Sequence, residues 1–140
     1  MKASSLLRKD TVLIADDFVA FRWFVRLKLQ EQGFQTVVEA SDGLEAVAKA
    51  ADLQPDLVLL DIAMPALNGI DAAVQIHSVA PQSKILVVSE NRSPDIAAEV
   101  LETGAAGYVV KSDAASELLP AIKAVLEGKR FLSAWQVTSS

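Results

Sequence analysis

The sequence predicts an α/β fold in which parallel strands, buried on both faces, alternate with helices. Short apolar runs recur along the chain, and the segments between them have the length and periodicity of helices. The runs at 12–15 and 57–60 contain no polar residue, which is typical of strands covered on both faces of a parallel sheet. The strands are predicted at 11–15, 36–38, 57–60, 85–88 and 108–110.

The first helix is predicted over residues 18–32, and its apolar residues recur at helical spacing. We expect the face they form to pack on the sheet, and we expect Phe18 to lie in the same gap between helix and sheet. Trp23 falls off this face, so it should point partly outward, where an exposed aromatic side chain can contact a partner. The inward face comprises Phe21, Phe24, Val25 and Leu29.

Glycines and capping residues mark where several helices begin and end. Gly33, Gly104 and Gly128 each follow a helical stretch, where a left-handed residue commonly ends a helix. Asn68 and Ser93 precede helical stretches, and their side chains are suited to N-caps. This punctuation supports the alternation of strands and helices.

The last helix contains a proline, which affects where the helix is predicted to begin. Pro120 has no backbone N–H and would interrupt a helix that started at Asp113. We therefore predict a start near Ser116, which places Pro120 in the first turn.

Composition limits the kinds of site that the chain can hold. It has no cysteine, which excludes thiolate metal sites, and its single histidine, His77, excludes a multi-histidine metal site. The net charge of −5 disfavours direct binding to nucleic acid. Residues 1–10 contain no long apolar stretch, so neither a signal peptide nor a membrane span is expected, and a cytoplasmic protein is the default.

Polar residues follow four of the predicted strands, and parallel strands end at one edge of the sheet. They are Asp16 and Asp17 after the first strand, Asp61 after the third, Ser89 after the fourth and Lys111 after the fifth. Crowded carboxylates repel one another, and a hard divalent cation such as Mg²⁺ relieves that repulsion. An aspartate can attack phosphorus to form an aspartyl phosphate, which a lysine and a hydroxyl would bracket. The sequence therefore predicts a Mg²⁺-dependent phosphoryl-transfer site.

Four segments at these strand ends, VLIADD, DLVLLDIAMPALNG, ILVVSE and GYVVKS, resemble the receiver domain of two-component response regulators. The resemblance covers residues 10–128, with 1–9 as an N-terminal lead and 129–140 as a C-terminal tail or the start of a linker. It implies a CheY-like, flavodoxin-like (βα)5 three-layer sandwich, whose five-stranded parallel sheet has the order 2-1-3-4-5. It also implies a signalling phosphoacceptor rather than an enzyme.

The resemblance assigns a role to each member of the acidic cluster. Asp61 matches the phosphoacceptor. Asp16 and Asp17 match the acidic pair that holds Mg²⁺, and Asp61 and the backbone carbonyl of Ala63 complete the protein ligands.

Three further residues match the part of the family's site that senses phosphate. Ser89 and Tyr108 match the switch pair, and Lys111 matches the phosphate-contacting lysine. On phosphorylation, the hydroxyl of Ser89 would turn to the phosphoryl group and Tyr108 would follow inward.

The chain departs from the family pattern at three positions. Glu90 follows the switch hydroxyl, where a small residue is usual, and its charge could repel an incoming phosphoryl group. Ala63 has no side chain to position an attacking water, for which Asn91 would partly compensate. Ser112 follows the lysine, where proline or aspartate is commoner. We therefore expect a slowly hydrolysed phosphoryl group.

The implied partners are a sensor histidine kinase or phosphotransfer protein, and a second copy of the chain through the face of the fourth helix, fifth strand and fifth helix. The segment GKRFLS, residues 128–133, resembles the exit from the receiver in NarL/FixJ-type regulators, where a LuxR-type helix-turn-helix domain normally follows. The residues left to Ser140 are too few for such a domain. Transcriptional output would depend on a domain outside this chain.

Several alternatives remain open on the sequence. A haloacid-dehalogenase-type phosphatase also uses an aspartate nucleophile with Mg²⁺, but it carries a second acid where this chain has Ala63. A phosphorylation-independent interaction module is favoured only by Glu90. Taken singly, Asp17 could be only the N-cap of the first helix.

Overall fold

Strands and helices alternate along residues 11–133, which are the residues that the computed structural model describes. The strands are β1 (Thr11–Ala15), β2 (Thr36–Ala40), β3 (Leu57–Leu60), β4 (Lys84–Ser89), β5 (Gly107–Val110) and β6 (Phe131–Leu132). The helices are α1 (Val19–Glu31), α2 (Gly43–Leu53), α3 (Gly69–Val79), α4 (Pro94–Glu102) and α5 (Ala114–Leu126), with a 3-10 turn at Lys111–Asp113. The predicted N-terminal lead, 1–9, lies outside the described residues.

The strands form one parallel sheet in the order β2-β1-β3-β4-β5-β6. This confirms the flavodoxin-like fold and the order predicted for the first five strands. The register brings the ends of neighbouring strands level, since Ala15 lies opposite both Ala40 and Leu60, and Ser89 lies opposite Val110. The residues that follow these strands therefore meet at one edge of the sheet.

A sixth strand lies beside β5, one more than the sequence predicts. The two residues of β6 pair in parallel with Gly107 and Tyr108. The buried Ser133 continues the contact: its N–H donates to the carbonyl of Tyr108 at 3.1 Å, and its Oγ accepts the N–H of Val110 at 2.9 Å. A two-residue strand is too short to carry a periodic pattern. Part of the predicted tail, 129–140, therefore belongs to the sheet.

Helices cover both faces of the sheet, and strand residues alternate between two apolar layers. Leu13 and Ala15 pack in the layer that includes residues of α2, α3 and α4. Val12 and Ile14 pack in the layer that includes residues of α1 and α5. Because both layers are buried, β1 reads in the sequence as a continuous apolar run.

Helix α1 packs on the sheet through the face that the sequence predicts, but its first turn differs. Phe18 was expected between helix and sheet, and it is instead 60% exposed, because it is the N-cap residue and precedes the helix. Trp23 is 63% exposed, as predicted, and it continues an exposed apolar stripe with Val19 and Leu27. The inward residues are Phe21, Phe24, Val25 and Leu29.

The predicted helix caps are confirmed. Gly33, Gly104 and Gly128 have φ angles of 91°, 103° and 85°, the left-handed conformation that favours glycine after a helix. Asn68 caps α3 and Ser93 caps α4, and each side chain accepts two backbone N–H groups.

The predicted start of the last helix is wrong. Helix α5 begins at Ala114 rather than near Ser116, and Pro120 lies in its interior. The N–H that Pro120 lacks would have bonded the carbonyl of Ser116. Both residues are exposed, so water can satisfy that carbonyl and the helix tolerates the proline.

Candidate functional site

Three carboxylates meet at the carboxyl edge of the sheet. Asp16 and Asp17 follow β1, Asp61 follows β3, and each offers an oxygen within 4.8 Å of the other two. Asp16 and Asp61 are buried, whereas Asp17 faces solvent. The structure therefore brings together the acidic residues that the sequence placed at two strand ends.

Both side-chain oxygens of Asp16 are bound within the protein. Oδ1 accepts the N–H of Phe18 at 2.8 Å, and Oδ2 lies 2.7 Å from Nζ of Lys111. Phe18 is the N-cap residue of α1, which has no side-chain cap, so the interpretation of Asp17 as a helix cap is wrong. Asp17 contributes its carboxylate to the cluster instead.

Lys111 supplies positive charge beside these carboxylates. Its Nζ lies 3.6 Å from Oδ2 of Asp61 and 4.6 Å from the centroid of the Phe21 ring. Burial acts to lower the pKa of Lys111, but the hydrogen bond to Asp16 and the charges of Asp61, Asp16 and Glu90 raise it overall. Lys111 is therefore protonated at neutral pH.

Asp61 has an unusual affinity for its proton. Burial raises the pKa of Asp61 from 3.8 to about 6, and the charge of Asp16 acts in the same direction. The charge of Lys111 and the N–H of Ala63, which lies 3.4 Å from Oδ1, offset part of the rise. A divalent cation in the cluster would restore the ionised carboxylate.

The donor set suits Mg²⁺, which prefers carboxylate and carbonyl oxygens and keeps several waters. Three carboxylates lie close together with one of them exposed, and the pKa of Asp61 is raised by burial and, to a smaller extent, by the charges of Asp16 and Asp17. Because both oxygens of Asp16 already accept protein donors, Asp17 and Asp61 are the better placed direct ligands.

Ser89 and Tyr108, the predicted switch pair, meet at the loop that follows β4. The hydroxyl of Tyr108 donates to the carbonyl of Asn91 at 2.6 Å, and Oγ of Ser89 accepts the N–H of Asn91 at 3.1 Å. Tyr108 is fully buried, and burial raises the pKa of its hydroxyl. The side chain of Asn91 accepts the N–H of Ser93 at 2.8 Å, which turns it toward the start of α4.

Glu90 lines a groove that also includes Lys111. Its charge acts to raise the pKa of Lys111. Ser112 lines the same groove, and its hydroxyl accepts a hydrogen bond from Arg92 at 2.7 Å. The groove is lined by Phe18, Phe21, Glu90, Lys111 and Ser112.

Gly69 is a structural residue of the site that the sequence analysis missed. A Cβ atom at this position would collide with the carbonyl oxygen of Asp61. The N–H of Gly69 donates to the carbonyl of Ile62 at 2.7 Å, which closes the loop after β3. Its position directly after the helix cap Asn68 was the only sequence signal for this role.

Arg22 on α1 contacts the site through the backbone of Asp16, and this contact was not predicted from the sequence. Its Nη1 donates to the backbone carbonyl of Asp16 at 2.6 Å, and its Nε lies 2.7 Å from Oε1 of Glu39. Arg26, one turn further along, binds Oε2 of the same glutamate at 2.7 Å. No local pattern predicts a bond between a helix side chain and a loop carbonyl.

The doubly wound sheet and the aspartates and lysine at its carboxyl edge define a phosphoacceptor receiver domain. The model of the response regulator receiver domain family matches residues 12–123. The chain belongs to this family, whose members are phosphoacceptors in two-component signalling.

Relatives fall into short and long proteins. The chemotaxis protein CheY of Thermotoga maritima is 36% identical over 114 residues, which cover 81% of this chain and 95% of CheY. The transcriptional regulatory protein DegU of Brevibacillus brevis is 35% identical over 125 residues, which cover 89% of this chain and 53% of DegU. The chain therefore spans nearly all of CheY and about half the length of DegU.

Solved structures of response regulators are also similar to this chain. The crystal structure of a LuxR-family two-component response regulator from Aurantimonas sp. SI85-9A1 is 31% identical, has a TM-score of 0.85, and the match covers 91% of this chain and 92% of that one. Among the helices of residues 11–133, none has the length and apolar character needed to cross a membrane.

Proposed function

We propose that the chain is a Mg²⁺-dependent switch in which Asp61 receives a phosphoryl group from the phosphohistidine of a sensor histidine kinase or phosphotransfer protein. One observation carries the proposal: Asp61 is buried at the end of β3, within 4.8 Å of Asp16 and Asp17, and 3.6 Å from the ammonium of Lys111. This arrangement offers a nucleophile, a cation site and a fixed positive charge together.

In the proposed transfer, a carboxylate oxygen of Asp61 forms a bond to phosphorus as the bond from phosphorus to the histidine nitrogen breaks. The electron pair of that broken bond stays on the imidazole. Lys111 would balance charge on the phosphoryl oxygens. Asp17, Asp61 and the carbonyl of Ala63 would bind Mg²⁺ directly, with Asp16 beside them in the acidic cluster, and the ion would lower the repulsion between the phosphoryl group and the carboxylates.

The output of the switch would be a population shift at the face of α4, β5 and α5. Moving a two-state equilibrium from 1:99 to 99:1 requires ~5.5 kcal/mol of differential stabilisation. Contacts of Ser89 and Lys111 with the phosphoryl group would supply it, and Tyr108 would transmit it along β5. A second copy would dock on the same face, which includes β6 because that strand covers the outer edge of β5.

Two further features belong to the proposal. The exposed apolar stripe of Val19, Trp23 and Leu27 starts beside the acidic cluster and would contact the phosphodonor. The chain itself would act in the cytoplasm. The transcriptional output would come from a LuxR-type helix-turn-helix domain in a longer protein, a proposal supported by the match of this chain to about half the length of the transcriptional regulatory protein DegU. This segment itself would not bind DNA.

The test compares wild type with Asp61→Asn in the presence of Mg²⁺ and acetyl phosphate, with mass spectrometry to detect one added phosphoryl group. Asp52→Asn, an exposed acid on α2, is the matched control. We expect the adduct on wild type and the control, and none on Asp61→Asn. An adduct on all three proteins would place the phosphoryl group elsewhere.

A second candidate is a phosphorylation-independent interaction module, favoured by the acidic side chain of Glu90 in the groove. Failure of wild type to form any adduct, with acetyl phosphate or beryllofluoride, would support that candidate. Steady turnover of phosphate esters would instead support a phosphatase, although Ala63 stands where such enzymes carry their second acid.

A further inference from the structure

We propose that Arg22 is a positioning residue for the cation site: by holding the backbone carbonyl of Asp16, it fixes the direction in which Asp17 presents its carboxylate. The inference rests on the proposed function and adds a residue outside the acidic cluster to the machinery that binds Mg²⁺.

Asp16 is held through both of its backbone polar groups. The N–H of Asp16 donates to the carbonyl of Ala40 at 3.1 Å, which fixes the residue against β2. Its carbonyl accepts Nη1 of Arg22 at 2.6 Å, which fixes the plane of the next peptide. Asp17 extends from that peptide, faces solvent and lies outside the helix, so the orientation of its backbone decides where its carboxylate points.

Arg22 is itself held in place by Glu39 on β2. Nε of Arg22 lies 2.7 Å from Oε1 of Glu39, and the side chain of Arg22 is only 14% exposed. Two arginines share this glutamate, and although burial acts to raise the pKa of Glu39, their hydrogen bonds and charges lower it overall. Glu39 therefore stays ionised and keeps the planar guanidinium of Arg22 directed at the Asp16 carbonyl.

Both the shape and the charge of Arg22 matter for a test. A guanidinium can bind Glu39 and the carbonyl at once through its fixed fork, whereas the single ammonium of lysine cannot reproduce that geometry. Through charge alone, a cation beside a metal site weakens the binding of another cation, so its removal would tighten Mg²⁺ binding. Positioning predicts the opposite sign, and the two effects are therefore separable.

The experiment is a calorimetric titration of the full chain with Mg²⁺ alone, for wild type, Arg22→Ala, Arg22→Lys and Arg26→Ala. Arg26→Ala is the matched control, since Arg26 binds Glu39 and lies on the same helix but donates its other bond to Val37 rather than to Asp16. We expect both Arg22 variants to bind Mg²⁺ about tenfold more weakly, as when a group that orients a metal ligand is lost. Arg26→Ala should stay within about twofold of wild type.

A second measurement separates positioning from loss of the fold. Phosphorylation by acetyl phosphate is followed across Mg²⁺ concentrations, and thermal unfolding is recorded for every variant without Mg²⁺. We expect the Arg22 variants to need more Mg²⁺ for half-maximal rate and to recover the wild-type rate at saturation.

Unchanged or tighter Mg²⁺ binding in the Arg22 variants would overturn the inference, as would equal weakening in Arg26→Ala. If wild type is phosphorylated normally and the Arg22 variants need no more Mg²⁺ than wild type does, this inference fails and the proposed function stands. A wild-type protein that neither binds Mg²⁺ nor accepts phosphate would remove the proposed function, and this inference with it.

Discussion

The hydroxyl of Tyr108 donates a hydrogen bond of 2.6 Å to the backbone carbonyl of Asn91, with the ring fully buried. This bond joins β5 to the loop after β4. Asn91 also donates its N–H to Oγ of Ser89, so the side chains of both predicted switch residues are hydrogen-bonded to the backbone of one loop residue. Movement of that loop and movement of Tyr108 are therefore coupled.

We predict that Tyr108→Phe lowers the free energy of unfolding by about 1–2 kcal/mol, because it leaves the Asn91 carbonyl without its partner. Urea denaturation measures the change. The variant should still accept phosphate on Asp61, since the ring stays in place. Stability equal to that of wild type would contradict the importance of this bond.

Without divalent cations, the contribution of Asp61 to stability should fall as pH rises from about 4 to about 6. Asp61 has a pKa of about 6 in the folded chain against an ordinary value of 3.8, so in that window the unfolded chain loses its proton first. The loss is on the order of 3 kcal/mol. Asp61→Asn should lack this step and be the more stable protein at pH 7.5, as measured by urea denaturation, whereas Asp52→Asn should retain it.

We predict that Gly69→Ala destabilises the chain by about 1–3 kcal/mol, because the added methyl group collides with the carbonyl of Asp61. Phosphorylation by acetyl phosphate should slow as well, since the loop that carries Asp61, the proposed nucleophile, must shift. Gly33→Ala is the control. It introduces strain through its positive φ, with open space around the new Cβ, and should leave the phosphorylation rate unchanged.

Removing the charge of Glu90 should accelerate the chemistry in both directions. With Glu90→Ala, we expect phosphorylation by acetyl phosphate and subsequent hydrolysis to be roughly twofold to fivefold faster, and the gain to shrink at high salt. Loss of radiolabel from the phosphoprotein measures hydrolysis, and Glu99→Ala on α4 provides an exposed acid as control. If the wild type lost its label within seconds, the expected slow hydrolysis would be wrong.

The sheet was predictable because strands buried on both faces, such as β1 and β3, appear in the sequence as nearly continuous apolar runs. The short β6 has no such signal, and its place depends on bonds to β5 from a segment distant in sequence. Pro120 misled the prediction of α5 because its cost depends on whether the orphaned carbonyl reaches water, which is a property of the folded surface.

The acidic cluster was predictable for a related reason: parallel topology alone sends Asp16, Asp17 and Asp61 to one edge. The contacts that hold the cluster in place were not predictable from the sequence. The bond from Arg22 to the Asp16 carbonyl and the contact of Gly69 with Asp61 depend on how a helix and a loop pack against the strand ends.

The attachment of β6 turns one amide proton into a reporter. The N–H of Val110 would point to solvent if β5 were the edge of the sheet, and here it is donated to the buried hydroxyl of Ser133. Its hydrogen-exchange rate therefore measures how often residues 131–133 detach from β5. Because Lys111 is the next residue, a comparison of that rate with and without beryllofluoride would show directly whether the site and the end of the sheet open together.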